Sequence, residues 1–222
     1  GLELSAALPG HLEVSDREVC ARWDGRLTCL RPGSRRESPT PFVELVRGPG
    51  TPCARDADGA VWCLAPGSED ETSAELHPVP LPAPATALGA DGARIHALLD
   101  DGTLWSWPPA GHGQPLEPRR VASGIDAIDS EPWTRLCALG QDRVRCWSTG
   151  SEVRAHAVVG AQTIAVGRAH TCALGDGGVV CWGDGTLGQT SPPPMARPTA
   201  LDSGDDRTCA IDEGELRCWG QP

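Results

Sequence analysis

The chain has 222 residues, 39% of them hydrophobic, which is enough for a buried core and places it among globular rather than disordered proteins. Its formal charge of −11 leaves it without the basic footprint on which phosphate-backbone affinity rests, so no nucleic-acid partner is expected. No stretch approaches the roughly 18 consecutive apolar residues of a membrane span, so no membrane insertion is expected either.

Six hairpin-like units follow one another. The first pairs the apolar stretch LEV (12–14) with VCARWDGRLTCL (19–30), and the second pairs FVELV (42–46) with PCARDADGAVWCL (52–64). The third has ATAL (85–88) before HALLDDGTLWSW (96–107), a body of the same form without cysteine. IDAI (125–128) precedes LCALGQDRVRCWS (136–148), TIAV (163–166) precedes TCALGDGGVVCWG (171–183), and TAL (199–201) precedes TCAIDEGELRCWG (208–220). Their central turns lie about 33 to 44 residues apart, the spacing of propeller blades and similar arrays. Loop-like segments such as GSEDETS (67–73) and SPPPMARP (191–198) connect them, and no domain boundary interrupts residues 1–222.

Asp24-Gly25, Asp101-Gly102 and Asp176-Gly177 are strong two-residue hairpin signals, and they set the register. Counting outward from Asp176-Gly177 opposes Cys172 to Cys181. Turns at Asp24-Gly25, Gln141-Asp142 and Glu213-Gly214 likewise oppose Cys20 to Cys29, Cys137 to Cys146 and Cys209 to Cys218. Cys53 and Cys63 meet across a three-residue turn, Ala57-Asp58-Gly59. Directly opposed residues come close enough for a disulfide after a small local twist, so five bridges within hairpins are expected. In the cysteine-free hairpin the same count opposes Ala97 to Ser106 and His96 to Trp107. Zinc ligation is the rival reading, but no CxxC spacing occurs and no metal site is expected.

In the Asp176 hairpin one face carries Cys172, Leu174, Val179 and Cys181 and the other Ala173, Val180 and Trp182, so neither face is polar. Strands buried on both sides fit stacked blades, and the expected architecture is an all-β, single six-bladed β-propeller. Trp62, Trp105, Trp107, Trp147, Trp182 and Trp219 recur at or next to one place in the second strand and read as inter-blade packing. The apolar stretches before the hairpins are the expected innermost strands. LELSAAL (2–8) is expected to add a strand to the last unit and close the ring.

Within this frame, AVGRAHTCALGDGGVVCWGDGTLGQ (165–189) resembles a repeat of the regulator of chromosome condensation family, which couples a Gly-x-x-His turn to an Ala-Leu strand, a Trp-Gly strand end and a Gly-Gln. Trp107 with Gly113-Gln114 repeats the spacing of Trp182 with Gly188-Gln189, and Trp219-Gly220 restates the strand end. The resemblance implies a propeller, of seven blades in that family against six hairpins counted here. It also implies that His170 braces a turn, whereas Arg135 and Arg207 stand in its place elsewhere and His96 lies one residue out of register. The family includes bacterial, extracellular propellers that bind and inhibit other proteins.

Ten cysteines in an acidic, repeat-rich chain point to an oxidising, extracytoplasmic setting. The N-terminus lacks a signal-peptide pattern, so a targeting segment is expected to have preceded Gly1. No Gly-x-Ser-x-Gly, His-Glu-x-x-His or phosphate-loop pattern occurs, and paired cysteines leave no thiolate nucleophile, so neither an enzyme nor a cofactor is expected. Asp56-Ala-Asp-Gly resembles the start of a calcium loop without its later ligands and reads as a hairpin turn. Three functions remain in view: an exported protein-binding module, a glycan-binding or structural surface protein, and a carboxylate-dependent polysaccharide hydrolase or lyase, whose acid pair would carry no local signature.

Topology separates two rims. The hairpin turns place Asp24, Asp56, Asp58, Asp100, Asp101, Asp142, Asp176, Asp212 and Glu213 on one, where turn preference and solubility explain them. The opposite rim collects Arg17, Arg94, Arg135, Arg168 and Arg207, with Trp133 in a loop position. Trp and Arg are frequent interface hot spots, and this rim is the expected binding site. In the alternative reading the arginines balance Asp16, Glu131, Asp205 and Asp206.

Overall fold

The structure is a computed structural model that describes residues 12–14, 19–23, 26–31, 34–47, 52–64, 76–109, 116–149 and 151–221, with side chains from Phe42 onward except at 47, 64, 151, 153 and 154. Among these residues there are strands and no helix. The first unit comprises β1 (Leu12–Val14), β2 (Val19–Trp23), β3 (Arg26–Arg31) and the first half of β4 (Ser34–Arg47). The second half of β4 opens the second unit, which continues with β5 (Pro52–Asp56), β6 (Val61–Leu64) and β7 (Leu76–Pro78). The third unit is β8 (Ala85–Ala90), β9 (Ile95–Leu99), β10 (Leu104–Trp107) and β11 (Arg119–Ala122). The fourth is β12 (Ala127–Glu131), β13 (Arg135–Gly140), β14 (Arg143–Ser148) and β15 (Ser151–Ala157). Three strands each make the fifth, β16 (Thr163–Val166), β17 (His170–Gly175) and β18 (Gly178–Gly183), and the sixth, β19 (Pro198–Gly204), β20 (Arg207–Asp212) and β21 (Glu215–Gly220). In the fifth unit Pro192, Pro193 and Pro194 occupy the connector; without backbone N–H groups they cannot donate to a fourth ladder.

All six expected hairpins are adjacent antiparallel pairs, and the register opposes each of the five cysteine pairs. Gln141-Asp142 and Glu213-Gly214 have positive φ at both central residues, the mirror-image turn whose twist matches the flanking strands. Cys53–Cys63, Cys137–Cys146, Cys172–Cys181 and Cys209–Cys218 are bonded, with Cα–Cα distances of 4.0–4.1 Å. Cys20 and Cys29 are opposed in register, but their side chains lie outside the described residues, as does LELSAAL.

The third hairpin corrects the expectation. Its loop holds three residues, Asp100-Asp101-Gly102, closed by Gly102 N donating to Leu99 O and Leu99 N to Thr103 O. Gly102 takes the left-handed conformation at the loop's end, as Gly59 does in the second unit. The extra residue slips the pairing by one, so His96 opposes Ser106 and Ala97 opposes Trp105. His96 and Ser106 therefore stand where the other units hold their disulfide. The Asp-Gly pair is compatible with either loop length, and the buried faces of the strands select between them. The fourth innermost strand is also displaced, to Ala127–Glu131 from the expected 125–128.

The sheets pack face to face in chain order, with innermost strands β4, β8, β12, β16 and β19 neighbouring one another in succession. Val46, Cys53 and Cys63 of the second unit bury against Ile95, Leu99 and Trp107 of the third. Leu98 and Leu104 of the third pack on Leu136 and Trp147 of the fourth. Trp107 and Trp147 are buried as expected, whereas Trp62, Trp105, Trp182 and Trp219 remain partly exposed.

Candidate functional site

Innermost strands use polar side chains to tie neighbouring units together. Nothing pairs with their inner edges, so backbone N–H groups there need acceptors. Glu44 Oε1 accepts from Leu88 N at 3.0 Å while its Oε2 takes Arg55 Nε at 2.8 Å. Asp129 Oδ2 accepts from Val166 N at 2.7 Å, and Ser130 Oγ accepts from Ala90 N at 3.3 Å. Burial pushes the Asp129 carboxyl up to about 6, against the backbone hydrogen bonds from Val166 and Ser130 and with help from the Asp202 charge.

The loops leading from the innermost strands gather on one rim, which carries the arginines. In the loop after β8, Asp91 is fully buried; its Oδ1 accepts from Ala93 N (3.0 Å) and Arg94 N (2.9 Å), and its Oδ2 lies 3.3 Å from His96 Nε2. Gly92 N donates to Pro132 O at 2.9 Å, joining this loop to the next. Gly92 has φ +84°, and a Cβ there would run into the Trp133 carbonyl, so close approach of the two loops requires glycine. Trp133 projects from the second loop and is 59% exposed. Thr134 Oγ1 donates to Glu131 Oε2 at 2.8 Å and closes that turn, and Arg135 follows, half-buried, its guanidinium pushed down by burial against the Glu131 charge. Arg168 N donates to Asp205 O at 2.8 Å, joining the loops of the fifth and sixth units. His170 is buried, with Nε2 2.7 Å from Thr208 Oγ1 in the next unit; burial pushes its imidazole down, Asp206 opposes that and Arg135 adds to it. A bracing role for His170 matches this placement.

Thus Arg94, Trp133, Arg135, Arg168 and Arg207 all fall on the expected rim, and Arg17 lies outside the described residues. Among the described residues, Arg55, Arg119, Arg145, Arg197 and Arg217 are ion-paired, and none of Arg94, Arg135, Arg168 and Arg207 is. Arg120 and Arg143 are also without an ion pair and are exposed, as are Arg168 and Arg207. Arg207 donates Nε to Gln221 O at 2.8 Å and borders an open cleft with Asp202, Asp205 and Asp206. On the other rim the carboxylates cap turns: Asp56 accepts from Asp58 N and Ala60 N, Asp101 from Thr103 N, Asp142 from Gly160 N, and Asp212 from Ala196 N and Arg197 N. No group of three His, Cys, Asp or Glu side chains able to hold a metal occurs among the described residues.

Sequence reasoning missed Asp91, His96 and Ser106 as a buried polar group, and Glu44 and Asp129 as inter-unit braces. No local pattern marks them, since each acts on a neighbour far away in the chain.

A stack of antiparallel four- and three-stranded sheets, innermost strands side by side and loops gathered on one rim, is a β-propeller. Residues 162–189 match the family model for the regulator of chromosome condensation (RCC1) repeat. Prp20p of Saccharomyces cerevisiae, described with its binding to Gsp1p and histones, superimposes with a TM-score of 0.66 at 15% identity, covering 94% of this chain and 71% of that one. Yeast RCC1 (Prp20) bound to Kap60 gives 0.64 at 13% identity over 94% and 69% of the two chains. The ectodomain of the receptor kinase CR4 of Physcomitrella patens gives 0.61 at 21% identity over 91% and 60%. At these identities the likeness is one of fold. No curated protein matches the chain by sequence.

Proposed function

We propose that this propeller is a non-catalytic protein-binding module of an oxidising, extracytoplasmic compartment, and that it binds through the rim bearing Arg94, Trp133, Arg135, Arg168 and Arg207. The observation that carries this reading is the exposed Trp133 beside an Arg135 that is half-buried without an ion pair. A partly desolvated cation with the Glu131 charge nearby but no direct ion pair, and a large exposed aromatic ring, both gain when a partner covers them. Support for a protein partner comes from Prp20p, whose structure is described with Gsp1p and histone binding. Four described disulfides support an oxidising setting.

A pull-down with the purified, oxidised protein from the producing organism's envelope and secreted fractions tests this. Trp133→Ala and Arg135→Ala should each weaken capture of a specific partner more than about tenfold without moving the melting temperature. Unchanged affinity in both variants would put the site elsewhere, and retention on a glycan array with no protein captured would favour the glycan-binding reading.

A further inference from the structure

We infer that the sector of this rim formed by Arg94, Trp133, Arg135 and Arg168 receives an acidic polypeptide segment, with carboxylates for the arginines and an apolar or aromatic side chain for Trp133. The inference rests on the protein-binding reading above and names the partner's chemistry. It follows from where the rim's own carboxylates are spent. Asp91 is fully buried and engaged by Ala93 N, Arg94 N and His96. Glu131 is held by the Thr134 hydroxyl, and Asp184, beside His170, accepts from both Thr186 N and Thr186 Oγ1. Turn hydrogen bonds hold these carboxylates in place, the Glu131 charge reaches Arg135 without direct contact, and the guanidiniums of Arg94, Arg135 and Arg168 make no ion pair among the described residues. Arg207 is set apart by its bond to Gln221 O, while Asp205 borders both the Arg207 cleft and the Arg168 loop.

The sector is also preorganised. The Gly92–Pro132 backbone bond locks the third and fourth loops together and the Arg168–Asp205 bond anchors the fifth loop to the sixth unit, which reduces the ordering left for a ligand to impose. Guanidinium forks match planar carboxylates in two-point contacts. A long polyanion is disfavoured, because the chain's charge of −11 repels it beyond this one sector, whereas a short acidic segment meets only the arginines.

Titration of the full oxidised chain with a short Glu-rich peptide carrying one central Phe, followed by amide and indole NMR, tests the inference. The Trp133 indole and the amides of 91–94, 132–135 and 167–169 should shift, and affinity should fall about tenfold or more from low to high salt. The Gln-for-Glu peptide should not bind, and Arg94→Gln and Arg135→Gln should each weaken binding at least about threefold, while Arg135→Lys retains part of it. Absence of rim shifts, equal binding of the Gln peptide, or stronger binding of oligogalacturonate or a DNA oligomer would overturn the inference. Should the acidic peptide fail while Trp133→Ala still abolishes capture of a natural protein partner, the partner's acidity is wrong and the protein-binding reading survives.

Discussion

Asp129 shows how far a single residue's role depends on what lies across from it. On β12 it faces the neighbouring innermost strand, and among the described residues its donors are the backbone N–H groups of Val166 and Ser130. Its carboxyl is raised from 3.8 to about 6 in the fold. A group raised in this way adds stability that is complete below the unfolded value and is lost as pH climbs through the folded one. The chain should therefore lose stability between about pH 4 and pH 6.5, by up to about 3 kcal/mol from this residue. Denaturant unfolding at pH 4 and pH 7 checks it: Asp129→Asn, which keeps an acceptor for Val166 N, should flatten the difference by about 2–3 kcal/mol. An unaltered pH dependence in the Asn variant would remove Asp129 as the cause.

At the scale of the hairpin, the third unit is a natural experiment in register. His96 and Ser106 occupy the disulfide position, both buried, and His96 Nδ1 and Ser106 Oγ lack hydrogen-bond partners among the described residues. Little polar pairing beyond the Asp91 contact would be lost by replacing them. His96→Cys with Ser106→Cys should close a further disulfide on air oxidation, read as a mass two hydrogens lower and no titratable thiol. Ala97→Cys with Ser106→Cys, the pair a two-residue turn would oppose, should remain largely open, because those positions are one residue out of register and lie on opposite faces of the sheet. If the second pair closes and the first does not, the three-residue loop is wrong. Chain-entropy arithmetic values such a bridge at about 2.7 kcal/mol, an upper figure because a hairpin is already a short closure.

Across the molecule, the described residues form separate core clusters between neighbouring units, and the second, fourth, fifth and sixth units are each stapled inside their own hairpin. Four described disulfides use eight of the ten cysteines, and register opposes the remaining two, Cys20 and Cys29. Thiol titration of the denatured, unreduced protein should find no reactive group, and two or more would break the pairing scheme. Reduction should lower stability by several kcal/mol, comparable to the roughly 5–15 kcal/mol of a typical domain, and should do so without any change in the inter-unit hydrogen bonds.

The amino-acid sequence by itself determined the units, their hairpins and the cysteine pairs, because turn chemistry and the two-residue alternation of a strand are local and leave a direct trace in residue order. It also placed Arg94, Trp133, Arg135, Arg168 and Arg207 on one rim, since position relative to a hairpin turn decides the end of a sheet at which a loop emerges. Tertiary structure alone decided the rest. The register of the third hairpin was settled by which faces of β9 and β10 the neighbouring units bury, a choice that Asp101-Gly102 leaves open. Asp91 came to sit against His96, Glu44 under Leu88 N, and Asp129 under Val166 N through contacts between units, and nothing in either residue's own neighbourhood encodes its distant partner. For the same reason the unpaired state of the rim arginines is a property of the folded loops: only there do Thr134, Ala93 and Thr186 claim the carboxylates that the order of residues places within reach of the arginines.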